Sequence, residues 1–131
     1  QFEITETVAT EYNVSIRKVV DEFSAAGIRL CLDDFGSGYA NLNTVMRLPF
    51  STIKLDRSLL FDICCNEKRA MFYQSIVGTF HRMNYHIVSE GVETEEEVEL
   101  ISRWGVDMIQ GYYFSRPLPE KDLLALLQKK A

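Results

Sequence analysis

Five short β-prone runs, near 2–5, 28–34, 52–56, 86–90 and 107–112, alternate along the chain with segments of helical spacing. That alternation constrains the fold more than any other feature, because a strand returned to its neighbour by a helical crossover must run parallel to it. Tyr12, Ile16, Val19, Val20 and Phe23 share one helical face, with Gly27 at the C-terminal cap position. Between 66 and 84, Phe72, Ile76, Val77, Phe80 and Met83 share another. Thr94 with Glu97 three residues later makes a capping box for a helix running towards Trp104 and Gly105, and a Leu-rich helix from about Lys121 closes the chain. An α/β fold of parallel strands and crossover helices is expected, either an open sheet or a piece of a barrel. Five strands are too few to close an ordinary eight-stranded barrel.

The polar residues sit at the ends of these runs: Asp33 and Asp34, Lys54 and Asp56, Glu90, Gln110. Parallel α/β folds build their sites at strand C-termini. The sharpest case is "CLDDFGSGY", where an apolar run ends on two adjacent carboxylates that repel unless protonation or a cation relieves them. Glu3 and Glu90 end or leave other strands, so Glu3, Asp33, Asp34 and Glu90 are candidates to converge on one rim. Oxygen donors without histidine or cysteine suit Mg²⁺ or Mn²⁺ better than Zn²⁺. Successive strand side chains point to opposite faces, so both aspartates face the site only if the strand ends between them, with Gly36 and Gly38 allowing the turn. Read as an ordinary turn, the same stretch would spend its carboxylates on local hydrogen bonds.

Lys54 lies within an apolar strand between Ile53 and Leu55. An inward ammonium there needs carboxylates or an anion to meet it, which leaves two roles open: a buried ion pair, or orientation of a water or phosphate oxygen. Glu90 is expected over the mouth and Glu93 in the supporting loop, while Glu95, Glu96, Glu97 and Glu99 read as a solvated face near a helix N-terminus.

A net charge of −5 argues against a long polyanion such as duplex DNA, yet is compatible with a small phosphate ligand bridged by divalent cations. With 131 residues and 47% apolar content, the chain suits one domain with a real core. No apolar run is long enough to span a bilayer and no signal-peptide pattern occurs, so no membrane contact and a cytoplasmic or cytoplasm-facing location are expected. Three cysteines, two of them adjacent, support neither a disulfide framework nor a Cys-x-x-Cys zinc site, and Cys31 reads as a core residue. His81 and His86 read as exposed or packed, without a partner at metal-ligand spacing. The chain opens on "QFEITET", already in strand-like alternation and without Met, and is expected to be a piece of something larger.

Taken in order, "FEITET", "DDFGSGYANL", "IKLDRSLL", "SEGVETEEE" and "IQGYYFSRPLP" resemble the later part of an EAL domain, the bacterial cyclic di-GMP phosphodiesterase family, along essentially the whole chain. The resemblance implies a partial TIM-type (β/α) barrel, with residues 1–131 as its C-terminal part, about half of the full barrel. It implies metal-dependent hydrolysis of cyclic di-GMP to linear pGpG with Mg²⁺ or Mn²⁺. By motif position, Glu3, Asp33 and Asp34 would be metal ligands and Glu6 would steady the loop after the aspartates. Lys54 would contact the attacking water, Glu90 would serve as general base or metal-site partner, and Asp56, Glu93 and Gln110 would support substrate or metal.

Departures from the family pattern carry their own expectations. The Glu-Ala-Leu signature and the Asn-bearing strand after it are absent, which removes two metal ligands and an arginine that helps hold the substrate phosphate. The isolated piece is therefore expected to be inactive or nearly so. Its open strand edges are expected to drive a homodimer or larger species. Ser89 stands where the family usually has Ala, a small change. A catalytically inactive cyclic di-GMP receptor or protein-interaction domain is the alternative to an enzyme, and a purely structural α/β domain is a third.

Overall fold

The computed structural model describes residues 1–10, 14–38 and 42–130. Among them, β1 (Phe2–Thr5), β2 (Leu30–Phe35), β3 (Phe50–Leu55), β4 (His86–Ser89) and β5 (Met108–Ile109) form one sheet in the order β1-β2-β3-β4-β5, every neighbouring pair parallel. The connections carry α1 (Glu6–Thr10), α2 (Val14–Ala25), α3 (Leu42–Arg47), α4 (Glu67–Arg82) and α5 (Glu95–Arg103), and α6 (Glu120–Lys130) ends the chain. The expected helix at 12–23 is α2; Tyr12 lies outside the described residues.

Three helices end by one device, and it sets where the following strand begins. After α2 the Gly27 N–H donates to the Ser24 carbonyl and Ile28 N–H reaches back to Phe23, with Gly27 left-handed at φ 73°. Asn84 and Tyr85 repeat this pattern on His81 and Phe80 after α4, and Gly105 and Val106 repeat it on Ser102 and Ile101 after α5. Each is a Schellman closure, which satisfies the carbonyls a helix end leaves open. Ile28 is therefore committed to the cap, and β2 starts at Leu30 rather than at 28. The N-termini are equally explicit: Asn66 accepts from Arg69 N–H at α4, and Thr94 and Glu97 form the expected capping box at α5.

The register lines up side chains by face. Ile4, Leu32, Ile53 and Ile87 pair in a row across four strands, and all belong to the hydrophobic core. Ala9 of α1, Val20 of α2, Val45 of α3, Tyr73, Val77 and Phe80 of α4 and Ile101 of α5 pack into the same core, so the helical layer covers that face. Ile53 has no exposed surface; truncating such a residue to Ala costs about 2–5 kcal/mol. The opposite face carries Glu3, Thr52, Lys54 and Val88 and lines a cavity of about 430 Å³.

Two other expectations shift. Strand β3 starts at Phe50, directly after Pro49, and the expected strand at 107–112 shrinks to two residues because the chain turns from Gly111. A Cβ at Gly111 would collide with the backbone of Val92, so the loops after β4 and β5 interlock there, joined by Val92 N–H to Gln110 and Tyr113 N–H to Val92.

Candidate metal centre at the strand ends

The two aspartates reach one site by a route other than the one the sequence suggests. Asp34 itself adopts the left-handed conformation, at φ 59°, and the strand continues to Phe35 through a register shift between Leu32 and Phe35. A bulge of this kind re-aims side chains at a strand end. Oxygen atoms of Asp33, Asp34 and Glu90 consequently all lie within 4.8 Å of one another.

Lys54 points into this group from the neighbouring strand. Its Nζ lies 2.6 Å from Glu90 Oε1, 3.0 Å from Asp33 Oδ1 and 3.4 Å from Glu3 Oε2. Burial pulls the ammonium's pKa down, but the hydrogen bond to Glu90 and the contact with Asp33 outweigh it and hold it above the ordinary lysine value. Glu90 is pushed above the usual carboxylate range by burial, against the opposing pull of Lys54. Asp34 is also raised, by burial and then by the charges of Asp33 and Asp56.

The remaining expected residues surround this group. Glu6, at the start of α1, is 1% exposed; its Oε2 accepts from Gly36 N–H at 3.3 Å and from the Ser37 hydroxyl at 3.5 Å. Burial raises its pKa, with those two donors opposing. Glu3 is not in the three-carboxylate group and meets it through Lys54. Asp56 accepts from Ser58 N–H at 2.9 Å and caps the 3₁₀ turn Arg57–Leu60. Glu93 pairs with Arg57 at 3.0 Å, and Gln110 donates its N–H to Ser89 and lines the cavity that holds Glu3 and Lys54.

The donor chemistry fits a hard divalent cation. Glu6 Oε1 is buried without a hydrogen-bond partner among the described residues, and buried Asp33 Oδ1 has the Lys54 ammonium at 3.0 Å as its ion-pair partner. Three carboxylates crowd one place, and burial first, with neighbouring carboxylate charge adding to it, raises the pKa values of Asp34 and Glu90. Oxygen-only donors at a strand rim suit Mg²⁺ or Mn²⁺.

Sequence reasoning missed one part of this neighbourhood. The Tyr73 hydroxyl donates to Ser89 Oγ at 2.8 Å, and neither residue has exposed surface. Ser89 immediately precedes Glu90, so the pair anchors the end of β4 to α4. A serine inside an otherwise apolar strand was the available signal, since a buried hydroxyl needs a partner.

A parallel half-sheet with helices on one face and hard-oxygen donors at the strand C-termini defines part of a TIM-type barrel with a candidate metal centre. The chain belongs to the EAL domain family, whose model, described as "EAL domain", matches residues 1–117. Among curated relatives, the oxygen sensor protein DosP of Escherichia coli K12 is 38% identical over 122 residues, covering 92% of this chain and 15% of DosP. The bifunctional diguanylate cyclase/cyclic di-GMP phosphodiesterase MucR of Pseudomonas aeruginosa is 36% identical over 123 residues, covering 94% and 18%. The solved PaMucR phosphodiesterase complex with cyclic di-GMP superposes with a TM-score of 0.81 at 35% identity, over 92% of this chain and 49% of that one. Klebsiella pneumoniae BlrP1, solved with manganese and cyclic di-GMP, gives 0.81 at 36% identity, over 88% and 29%. The chain thus spans less than a fifth of these curated relatives and at most half of these solved chains.

Proposed function

We propose that residues 1–131 are the C-terminal part, about half, of an EAL barrel that hydrolyses one phosphodiester bond of cyclic di-GMP to give linear pGpG, with Mg²⁺ or Mn²⁺. The observation that carries this reading is the gathering of Asp33, Asp34 and Glu90 within 4.8 Å beside the Lys54 ammonium. Asp33 and Asp34 would hold a cation, with Glu90 beside them and Glu3 bordering them across Lys54. A divalent cation there supplies Lewis-acid activation of water and offsets the charge of the phosphate.

The chain's own residues divide the rest of the work. Lys54, held protonated, orients the attacking water or a phosphate oxygen by donating hydrogen bonds. Glu90, raised above the usual carboxylate range, accepts the water's proton as the new oxygen–phosphorus bond forms and one ester bond to ribose breaks. Glu6 steadies the loop after the aspartates through Gly36 and Ser37, and Asp56, Glu93 and Gln110 support substrate around the mouth.

The sequence lacks the Glu-Ala-Leu signature and the Asn-bearing strand, so these residues alone are proposed to turn over little. Strands β1 and β5 are the edges of the sheet, and pairing of those edges with a second copy is proposed to give a homodimer. No helix among the described residues is long and apolar enough to cross a membrane; a cytoplasm-facing position in a larger signalling protein is part of the proposal. The test is chromatographic detection of pGpG from cyclic di-GMP with Mn²⁺, using this chain and a protein that carries it within a whole barrel. Turnover by the whole barrel, lost at least about 100-fold in Asp33→Asn or Lys54→Met, is expected. Binding without turnover by the whole barrel would replace the enzyme with a receptor, and rapid turnover by the 131 residues would refute their proposed inactivity. Light scattering that shows a monomer at high concentration would remove the dimer.

A further inference from the structure

Glu90 lies one residue beyond β4, between a buried serine and a glycine in a tight turn. We propose that Tyr73 and Ser89 are positioning residues for Glu90: their buried hydroxyl pair holds the end of β4 where the Glu90 carboxylate meets Lys54. The inference rests on the phosphodiesterase reading above and adds to it two residues set behind the rim.

Strand alternation sets the directions. Ile87 and Ser89 face the helical layer, Val88 faces the cavity that holds Glu3 and Lys54, and Glu90, next in the alternation, reaches the Lys54 side. Any movement of Ser89 towards or away from the helices is therefore passed directly to Glu90.

The bonds at this strand end act in different directions. Glu90 N–H donates to the Leu55 carbonyl at 3.1 Å and Gln110 N–H to the Ser89 carbonyl at 2.8 Å. Both join neighbouring strands, so they resist sliding within the sheet. The Tyr73 hydroxyl donates to Ser89 Oγ at 2.8 Å from α4, and so resists movement of the strand end out of the sheet. Tyr73 is a firm support: it has no exposed surface, packs in the core with Val77 and Phe80, and lies 5.9 Å ring to ring from Trp104 at the end of α5. On the other side of Glu90 the chain turns at once through Gly91, at φ 72°, where a Cβ would meet the Arg57 stem at 2.6 Å.

The contacts of Glu90 leave little slack. Its Oε1 lies 2.6 Å from Lys54 Nζ, and it offers an oxygen within 4.8 Å of those of Asp33 and Asp34. A reacting group misplaced by about 1 Å can cost about 100-fold in rate. Ser89 stands where the family usually has Ala, so the hydroxyl pair refines a placement that the backbone bonds already make, and its effect is a small part of that range.

The test uses Tyr73→Phe/Ser89→Ala in a protein that carries this chain within a whole barrel. Removing both hydroxyls leaves neither unsatisfied, so the double variant keeps its fold, which thermal melts verify. With cyclic di-GMP and Mn²⁺, kcat is expected to fall about fivefold while KM stays within about twofold, because a displaced proton acceptor is missed in the transition state and not in binding. In a Glu90→Gln background the same two substitutions should change kcat by less than about 1.5-fold. Residue-resolved amide hydrogen exchange gives a readout independent of turnover: the Glu90 N–H should exchange about tenfold faster in the double variant, with the Ile53 N–H of β3 unchanged. An unchanged kcat beside an active wild type, a loss that persists in the Glu90→Gln background, or a Glu90 amide that quickens no more than that of Ile53 would overturn the positioning role while the phosphodiesterase reading stands. A wild type that turns over no cyclic di-GMP overturns the positioning role together with the reading beneath it.

Discussion

The two ends of the sheet solve opposite electrostatic problems. At the C-terminal rim, one ammonium, Lys54, faces three carboxylates, Glu3, Asp33 and Glu90, with Asp34 close behind. At the N-terminal end, one carboxylate, Asp107, faces two imidazoles and a backbone donor. Its Oδ2 lies 2.9 Å from His81 Nε2 and 3.7 Å from His86 Nδ1, and accepts from Ile87 N–H at 2.7 Å. Burial alone would raise the Asp107 pKa, but the hydrogen bonds from His81 and Ile87 outweigh it and hold it below the ordinary aspartate value. The rim stays short of positive charge, while the base satisfies itself. That difference separates a binding site from a structural clamp: only the rim gains from a further cation.

The largest expected effect comes from making the rim worse. Lys54→Met leaves the surrounding carboxylates without their shared ammonium and should cost about 3–5 kcal/mol in urea unfolding. Millimolar Mg²⁺ or Mn²⁺ should recover part of that loss. If the cation restores nothing, the rim is a plain ion-pair cluster and the contrast between the two ends fails.

A smaller effect is expected one residue behind the rim, where polar groups are buried but already paired. Ser89→Ala or Tyr73→Phe leaves one hydroxyl unsatisfied and should cost about 1–3 kcal/mol, while the double variant should lose less than the sum. Tyr73 also carries a pH signature. Burial pushes its phenol up to about 12, against the weaker opposing effect of its hydrogen bond with Ser89. Its contribution is fully present below pH 10 and is lost as pH rises through about 12, at about 1.4 kcal/mol per pH unit, and Tyr73→Phe should abolish that slope. Ultraviolet titration of the phenol combined with urea melts at each pH measures it.

The smallest effect belongs to the base. Asp107→Asn should cost about 1 kcal/mol or less, because the three side chains are about a third to a half exposed and water screens them. The Asp107 pKa is lowered on folding, so its contribution is present above the ordinary aspartate pKa and disappears as pH falls through the folded value. Thermal melts at neutral and acidic pH should converge between wild type and variant, and added Mg²⁺ should leave the difference unchanged. A Mg²⁺-dependent difference would make the two ends alike.

The outline of this molecule is written in short-range signals. The parallel alternation, the helix following the Thr94 and Glu97 box and the cap at Gly27 all depend on residues a few positions apart, whose steric and hydrogen-bonding preferences act locally. The short helix α1 escaped because it follows β1 with no linker, and α3 because its six residues are too few to show a period. The short span of β5 was missed because Gly111 must lie against Val92, a contact between loops nearly twenty residues apart.

For the site, the sequence alone determined which residues bear charge and that they end the strands, since side-chain chemistry and alternation are local properties. Tertiary structure decided which of them meet. It put the left-handed turn on Asp34 itself, joined Glu90 rather than Glu3 to the aspartates, and gave Ser89 its partner sixteen residues away on α4. The physical reason is that these choices depend on strand register and on a bulge, and both are set when the sheet packs against its helices, beyond the reach of any residue's own preference.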